Sequence, residues 1–149
     1  MTGFKESEVE QILVTVETWA KSQLEINGFA LVGSWARKQA RPDSDLDLMF
    51  LTPHLELFFE DIVWFNNIPW HSLNLEIDSY YDRVYGVVRS RHLVFQSGQR
   101  IEFSFGYPNW AKINPIDPGT LVVVRSGIRI IHDREKLLEN LVKAIVFYS

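Results

Sequence analysis

With 149 residues, 46% of them hydrophobic and 23% charged, the chain is long enough for one domain over 1–149 with a core of its own; lacking cysteine, it excludes disulfides, thiol nucleophiles and cysteine-bound zinc. The net charge of −4 argues against a general nucleic-acid binder, and no stretch approaches the roughly 20 apolar residues of a membrane span. Glu6, Glu8 and Glu10 stand where a secretory signal would carry a basic start and an apolar run, so a cytoplasmic location is expected. Five Trp, five Tyr and ten Phe are more rings than a small core easily hides, which predicts aromatics in a pocket or a subunit interface.

In chain order, Val9, Ile12, Leu13, Val16, Trp19, Ala20 and Leu24 recur at helical spacing and predict an amphipathic helix from Ser7 to Ile26, with Ser7 and Glu10 as a capping box and Asn27-Gly28 as its stop. Phe29 to Val32 reads as a short buried strand running into Gly33. Ser34 is the expected cap of a brief helix over 35–40 that ends before Pro42. Asp45 to Leu51 reads as a second strand, and Thr52-Pro53 as the start of a helix through about Asn66. Leu73, Leu75 and Ile77 alternate with polar residues as in a half-buried strand, and Val84 to Phe95 continues in β-forming residues. Ser97-Gly98 predicts a hairpin into a strand at 100–105, after which 107–119 reads as loop. Residues 122–131 are interrupted at Ser126-Gly127, and Leu137, Leu138, Leu141, Val142 and Ile145 mark a closing helix. The expected class is α/β or α+β, a mixed sheet flanked by helices and covered mainly on one face.

Asp45 and Asp47 are two apart on a predicted strand, so their carboxylates share a face while Leu46 and Leu48 take the other. Paired carboxylates repel, and partial burial makes this worse, so the arrangement calls for cations; magnesium, which prefers oxygen ligands and binds through one or two carboxylates and substrate phosphates, fits. Upstream, Gly33 allows backbone to approach a phosphate, and a helix starting after Ser34 would present free amides to it, with Arg37, Lys38 and Arg41 adding charge. Glu102 shares a strand face with Arg100 and Ser104 and is the expected third acid. A solvated Glu102 paired with Arg100 or Arg91 is its alternative, with Glu76, Asp78 and Asp82 as rival acids. His54, His71, His92 and His132 have no paired metal spacing and receive no role. Tyr80, Tyr81 and Trp110 read as core or interface aromatics beside loops, with stacking on a nucleobase as the alternative. The spacing from Gly33 to Lys38 lacks the second glycine and the Ser or Thr of a P-loop.

Gly33-Ser34-Trp35-Ala36-Arg37 followed by Ser44-Asp45-Leu46-Asp47-Leu48 resembles the signature of the polymerase-beta-type nucleotidyltransferase superfamily, most closely its minimal and aminoglycoside-modifying branches. Gly86-Val87-Val88, Ile101-Glu102-Phe103, Trp110-Ala111 and Asp117-Pro118-Gly119-Thr120 are also similar to stand-alone bacterial members. The resemblance implies the nucleotidyltransferase fold and two magnesium ions on Asp45, Asp47 and Glu102. It implies a triphosphate, ATP or another NTP, held by Gly33, Ser34, Arg37, Lys38 and Ser44, and transfer of a nucleoside monophosphate, AMP in the first instance, to an acceptor hydroxyl with release of pyrophosphate. Two departures stand out: Lys38 replaces the glycine of many minimal members, and the third acid is glutamate where polymerases have aspartate. No large helical segment follows to hold a bulky acceptor, so an unidentified small-molecule or protein acceptor, and a homodimer or a helical partner protein, are expected. No motif identifies the acceptor, for which an aminoglycoside is an analogy only. The alternative is a catalytically weak or inactive nucleotide-binding protein that acts as a partner, for example by neutralising a toxin.

Overall fold

In a computed structural model, residues 3–61 and 64–148 are described. A six-stranded sheet is built from β1 (Gly28–Val32), β2 (Leu46–Leu51), β3 (Ile77–Tyr85), β4 (Val88–Phe95), β5 (Arg100–Gly106) and β6 (Arg129–Asp133), in the spatial order β3-β4-β5-β2-β1-β6. The β2–β5 pair is parallel, and β1–β2, β1–β6, β3–β4 and β4–β5 are antiparallel. The helices are α1 (Glu6–Ser22), α2 (Gly33–Ala36), α3 (Leu57–Glu60), α4 (Pro118–Ser126) and α5 (Leu137–Tyr148). This is the mixed α/β class that the patterning predicts. Among the described residues, no helix is long and apolar enough to cross a membrane.

Period-two alternation distributes the strand side chains over two cores. Leu46, Leu48 and Phe50 of β2, with Ile101, Phe103 and Phe105 of β5, pack beneath Ile12, Val16 and Trp19 of α1. On the opposite face, Ala30, Met49 and Leu51 pack with Trp110, Val124 of α4 and Leu138, Leu141 and Ile145 of α5. The expected one-sided covering is therefore incorrect: α4 and α5 close the second face. Most rings also go inside rather than to an interface. Phe50 stacks on Phe29, Phe103 and Phe105 at 4.6, 5.4 and 5.1 Å, and Trp19 on Trp64 at 5.1 Å. Truncating so enclosed a ring as Phe50 to alanine costs about 3–5 kcal/mol.

Other departures have local causes. α1 stops at Ser22 because Gln23 is extended, leaving Leu24 exposed; Gly28 is a buried strand residue. At the start of α1, Lys5 N–H donates to Glu8, while Glu10 takes Arg129, so no Ser7–Glu10 box forms. The helix expected over 53–66 shrinks to α3 and a 3₁₀ turn at Trp64–Asn67, with Ile62 and Val63 outside the described residues. Side chains take the carbonyls that a longer helix would use: Trp64 Nε1 donates to Phe58 O at 2.6 Å and Arg91 to Asp61 O at 3.0 Å. Leu73 ends another 3₁₀ turn and Asn74 adopts a left-handed φ of 57°, so the strand starts only at Ile77. The run from Val84 to Phe95 is two strands, because Gly86, at φ 61°, turns the chain between β3 and β4.

Candidate functional site

One row of paired residues crosses the sheet on the α4 face: Tyr81 of β3, His92 of β4, Glu102 of β5, Asp47 of β2 and Val32 of β1. The parallel pairing of β2 with β5 sets Asp47 directly beside Glu102, which no spacing in the sequence could specify. Past Val32 the chain enters Gly33 at φ 73°, and a Cβ there would collide with the Asp47 carboxylate. Gly33 is thus required twice, for its backbone conformation and for the close approach of the turn to Asp47.

Two clefts meet at these residues. A polar one of about 440 Å³ is lined by Gly33, Ser34, Arg37, Asp43, Ser44, Asp45, Asp47, Arg100 and Glu102. The other, about 560 Å³, shares Gly33, Arg37, Asp47 and Glu102 with it and continues over Met49, Val88, Trp110, Val122 and Val123 to Tyr85 at the hairpin tip. Seven of the eight residues anticipated for catalysis and phosphate binding therefore converge on the polar cleft. Lys38 does not: it is exposed at a φ of 60°, ends the α2 turn and lines neither cleft. Ser34 is not a cap either, since it lies inside α2, whose N-cap position is Val32. At four residues, α2 is too short to bring a helix dipole to bear, so positive charge in the polar cleft comes from Arg37 and Arg100. Ser44 closes its own turn, its Oγ accepting from Arg41 N–H at 2.7 Å.

The three acids are held differently. Asp45, just ahead of β2, accepts from Arg100 Nε at 2.8 Å, so Arg100 serves Asp45 rather than Glu102. Glu102 accepts from Ser104 Oγ at 3.2 Å, and Ser104 shares a 2.7 Å hydrogen bond with Ser90; His92 Nε2 stands 3.8 Å from Glu102 Oε1. Burial first, then the hydrogen bond and charge of Glu102 and the charge of Asp45, push the Asp47 carboxyl up to about 8, against a smaller lowering by Arg37. Of the rival third acids, Asp82 is ruled out by its side of the sheet, where it takes both Nε and an Nη of the buried Arg91 at 2.8 and 3.0 Å. Glu76 and Asp78 line neither cleft.

Among the described residues, no three His, Asp or Glu side chains form a ready-made metal cluster. The chemistry of the donor set nevertheless fits magnesium. Asp47 and Glu102 are adjacent oxygen donors, and burial with the neighbouring Glu102 and Asp45 charges makes ionising Asp47 costly, a cost that a bound cation would offset.

Sequence reasoning missed His92 and Tyr85. His92 is 6% exposed, stacks on Tyr81 at 4.5 Å and 6°, and meets the Tyr85 hydroxyl at 3.3 Å. Partial burial and then the Glu102 carboxylate hold the Tyr85 phenol above its ordinary range. The legible signal was alternation: counted back from Gly86, Tyr85, Arg83 and Tyr81 share one face. Tyr80 and Tyr81 lie within β3, not beside a loop, and Tyr80 packs on Phe65 on the far side of the sheet. Trp110 forms a wall of the larger cleft, tied to α4 through Thr120 Oγ1, which donates to Trp110 O at 2.8 Å. Asp117 caps α4, accepting from Thr120 N–H at 3.0 Å, which accounts for the Asp-Pro-Gly-Thr segment structurally.

No protein-family model matches the chain, and no curated protein matches its sequence. Among solved structures, the chain is similar to an aminoglycoside 6-adenyltransferase from Bacillus subtilis, at 15% identity and a TM-score of 0.48, covering 74% of this chain and 38% of that one. It is also similar to the Cid1 poly(U) polymerase, at 18% identity and a TM-score of 0.46, covering 78% of this chain and 33% of that one. The chain thus spans between a third and two fifths of the length of these two proteins.

Proposed function

We propose that this chain is a nucleotidyltransferase that moves a nucleoside monophosphate, AMP in the first instance, from an NTP to an acceptor hydroxyl and releases pyrophosphate. The observation that carries the reading is the junction of a polar and a largely apolar cleft at Gly33, Arg37, Asp47 and Glu102. The triphosphate lies in the polar cleft, its oxygens met by the Gly33 backbone, Ser34, Arg37 and Arg100. Asp45, Asp47 and Glu102 would hold magnesium, which when bound offsets phosphate charge and lowers the acceptor's pKa. In-line displacement requires the attacking oxygen to stand opposite the leaving pyrophosphate, so the acceptor enters through the larger cleft. The new bond joins the acceptor oxygen to the α-phosphorus as the bridge to the β-phosphate breaks, and the hydroxyl proton passes to Glu102. Glu102, braced by Ser104, orients the hydroxyl, and Met49, Val88 and Trp110 keep bulk water from competing.

Asp45→Asn and Asp47→Asn each remove a ligand at nearly constant volume. Pyrophosphate release from magnesium-ATP, measured over a panel of hydroxyl acceptors, should fall in both by more than the roughly 10- to 100-fold loss that outer-shell changes bring, with circular dichroism unchanged. Turnover equal to wild type in either variant refutes the reading. One observation favours a second reading, a nucleotide-binding partner protein without turnover: Asp45 is already committed to Arg100. That protein would saturate with magnesium-ATP and release no pyrophosphate with any acceptor, including a copurifying protein.

A further inference from the structure

We infer that Tyr85 is itself an acceptor, so that the chain transfers a nucleotidyl group onto its own phenolic oxygen when no other hydroxyl fills the larger cleft. The inference rests on the nucleotidyltransferase reading and goes beyond it by assigning a modification site.

Three observations carry it. First, the phenol is inside the acceptor cleft. Tyr85 lines the same cleft as Asp47 and Glu102, and its hydroxyl points back along the hairpin to His92 Nε2 at 3.3 Å, the nitrogen that stands 3.8 Å from Glu102. Second, Tyr85 approaches from the required side. The polar cleft opens from Gly33 and Asp45 at the start of β2, whereas the cleft that Tyr85 lines meets the carboxylates from over Met49 and Ser104, farther along β2 and β5. Third, the tip carrying it is free to adjust. Tyr85 is 52% exposed and Val87 65%, and a Cβ added to Gly86 would meet nothing within 4 Å, so a small movement of the turn disturbs no packing. An aromatic held only as a cleft wall has no need to turn its hydroxyl back to His92, the neighbour of Glu102, and the other tyrosine on this face, Tyr81, lies flat on His92 instead.

The step balances without a further reactant. The Tyr85 oxygen forms a bond to the α-phosphorus, the bond from that phosphorus to the bridging oxygen of the β-phosphate breaks, and pyrophosphate leaves through the polar cleft. The phenolic proton passes to water, to which the half-exposed side chain has access. The attached nucleotide then occupies the acceptor cleft, so the reaction limits itself to one event per chain and blocks transfer to others.

The test uses the full chain with magnesium and ATP labelled at the α-phosphorus, read by intact mass, peptide mapping and pyrophosphate release, with and without N-acetyltyrosinamide as a free phenol. The expected result is one nucleotidyl group per chain on the Tyr85 peptide, at a rate per chain independent of protein concentration and suppressed by the added phenol. Tyr85→Phe, which keeps the ring, should lose the label while its circular dichroism stays that of wild type. Label on another residue, or label that persists in Tyr85→Phe, overturns the inference. Pyrophosphate release with the free phenol but an unlabelled wild-type chain overturns it and leaves the transferase reading standing. Neither label nor pyrophosphate under any condition removes both.

Discussion

Asp47 stores a conflict between folding and chemistry. Its carboxyl is raised from an unfolded value of 3.8 to about 8, with burial as the first cause and Glu102 as the second. The fold therefore favours the protonated form. The associated stability is fully present below 3.8 and is lost as pH rises through about 8, because the unfolded chain can ionise where the folded one resists. Asn at this position cannot ionise. In chelator, the melting temperature of Asp47→Asn relative to wild type should accordingly climb between pH 5 and pH 8, by roughly 3 °C or more, the shift that about 1 kcal/mol makes in a chain of this size. Scanning calorimetry at the two pH values checks this, and a constant difference would mean that Asp47 is ionised in the folded, metal-free protein. Lys38 is a second residue held against its preference, since a non-glycine residue at a φ of 60° pays for the missing freedom of glycine. It also stands where the minimal nucleotidyltransferases that the motif resembles often have glycine, and the backbone explains why they would. Lys38→Gly should be neutral to about 1 kcal/mol stabilising, whereas Lys38→Val should cost about 1–2 kcal/mol, both read from urea unfolding.

Among the elements, β1, the Gly33 turn and β2 were readable because each is defined locally: a short apolar run, a glycine, and carboxylates alternating with leucines. The strand face that Glu102 takes was readable for the same reason, framed by Ile101 and Phe103. The place of Glu102 beside Asp47 was not, because the pairing of β5 with β2 joins segments 55 residues apart and depends on the whole sheet. The β3–β4 hairpin escaped because Tyr85, Val87 and Val88 look like a buried β run, although β3 is an edge strand whose residues from Asp78 to Tyr85 are all exposed. The helix expected over 53–66 failed for the reverse reason. Phe58, Trp64 and Phe65 all turn inward, but the carbonyls a continuous helix would use are taken by side chains, Phe58 O by Trp64 Nε1 and Asp61 O by Arg91, which crosses beneath them. That arginine is 0% exposed, forks onto Asp82 and lies 4.8 Å from the centre of the Tyr80 ring, so it ties β4 to β3 and to the segment after α3. Arg91→Lys retains charge but not the fork, and should destabilise by about 2–3 kcal/mol in urea unfolding. A loss below about 0.5 kcal/mol would show that the pair contributes little beyond volume.

For the molecule as a whole, the net charge of −4 is not gathered where an acceptor would meet it. The larger cleft has three acids, Asp47, Glu102 and Asp117, and one cation, Arg37. In the magnesium-loaded protein Asp47 and Glu102 would be committed to the metal, and Asp117 is occupied in capping α4. What remains is a weakly charged floor under walls of valine, methionine and tryptophan. A polycation such as kanamycin would have to bring several ammonium groups out of water against those walls with few carboxylates to receive them, a cost that ion pairing repays only when the partners are present and well aligned. A neutral acceptor with a flat apolar body meets no such cost and gains from burial. With magnesium and ATP, kcat/KM for N-acetyltyrosinamide should therefore exceed that for kanamycin by at least roughly tenfold, about the 1.4 kcal/mol that a single mismatched contact is worth. Val122, which is 65% exposed while lining the cleft, offers the converse test: Val122→Asp should narrow the gap by adding the missing charge without entering the core. A wild-type preference for kanamycin would mean that the acceptor is bound from outside this cleft, by a partner chain or a second copy, with the carboxylates supplying only the metal and phosphate end of the reaction.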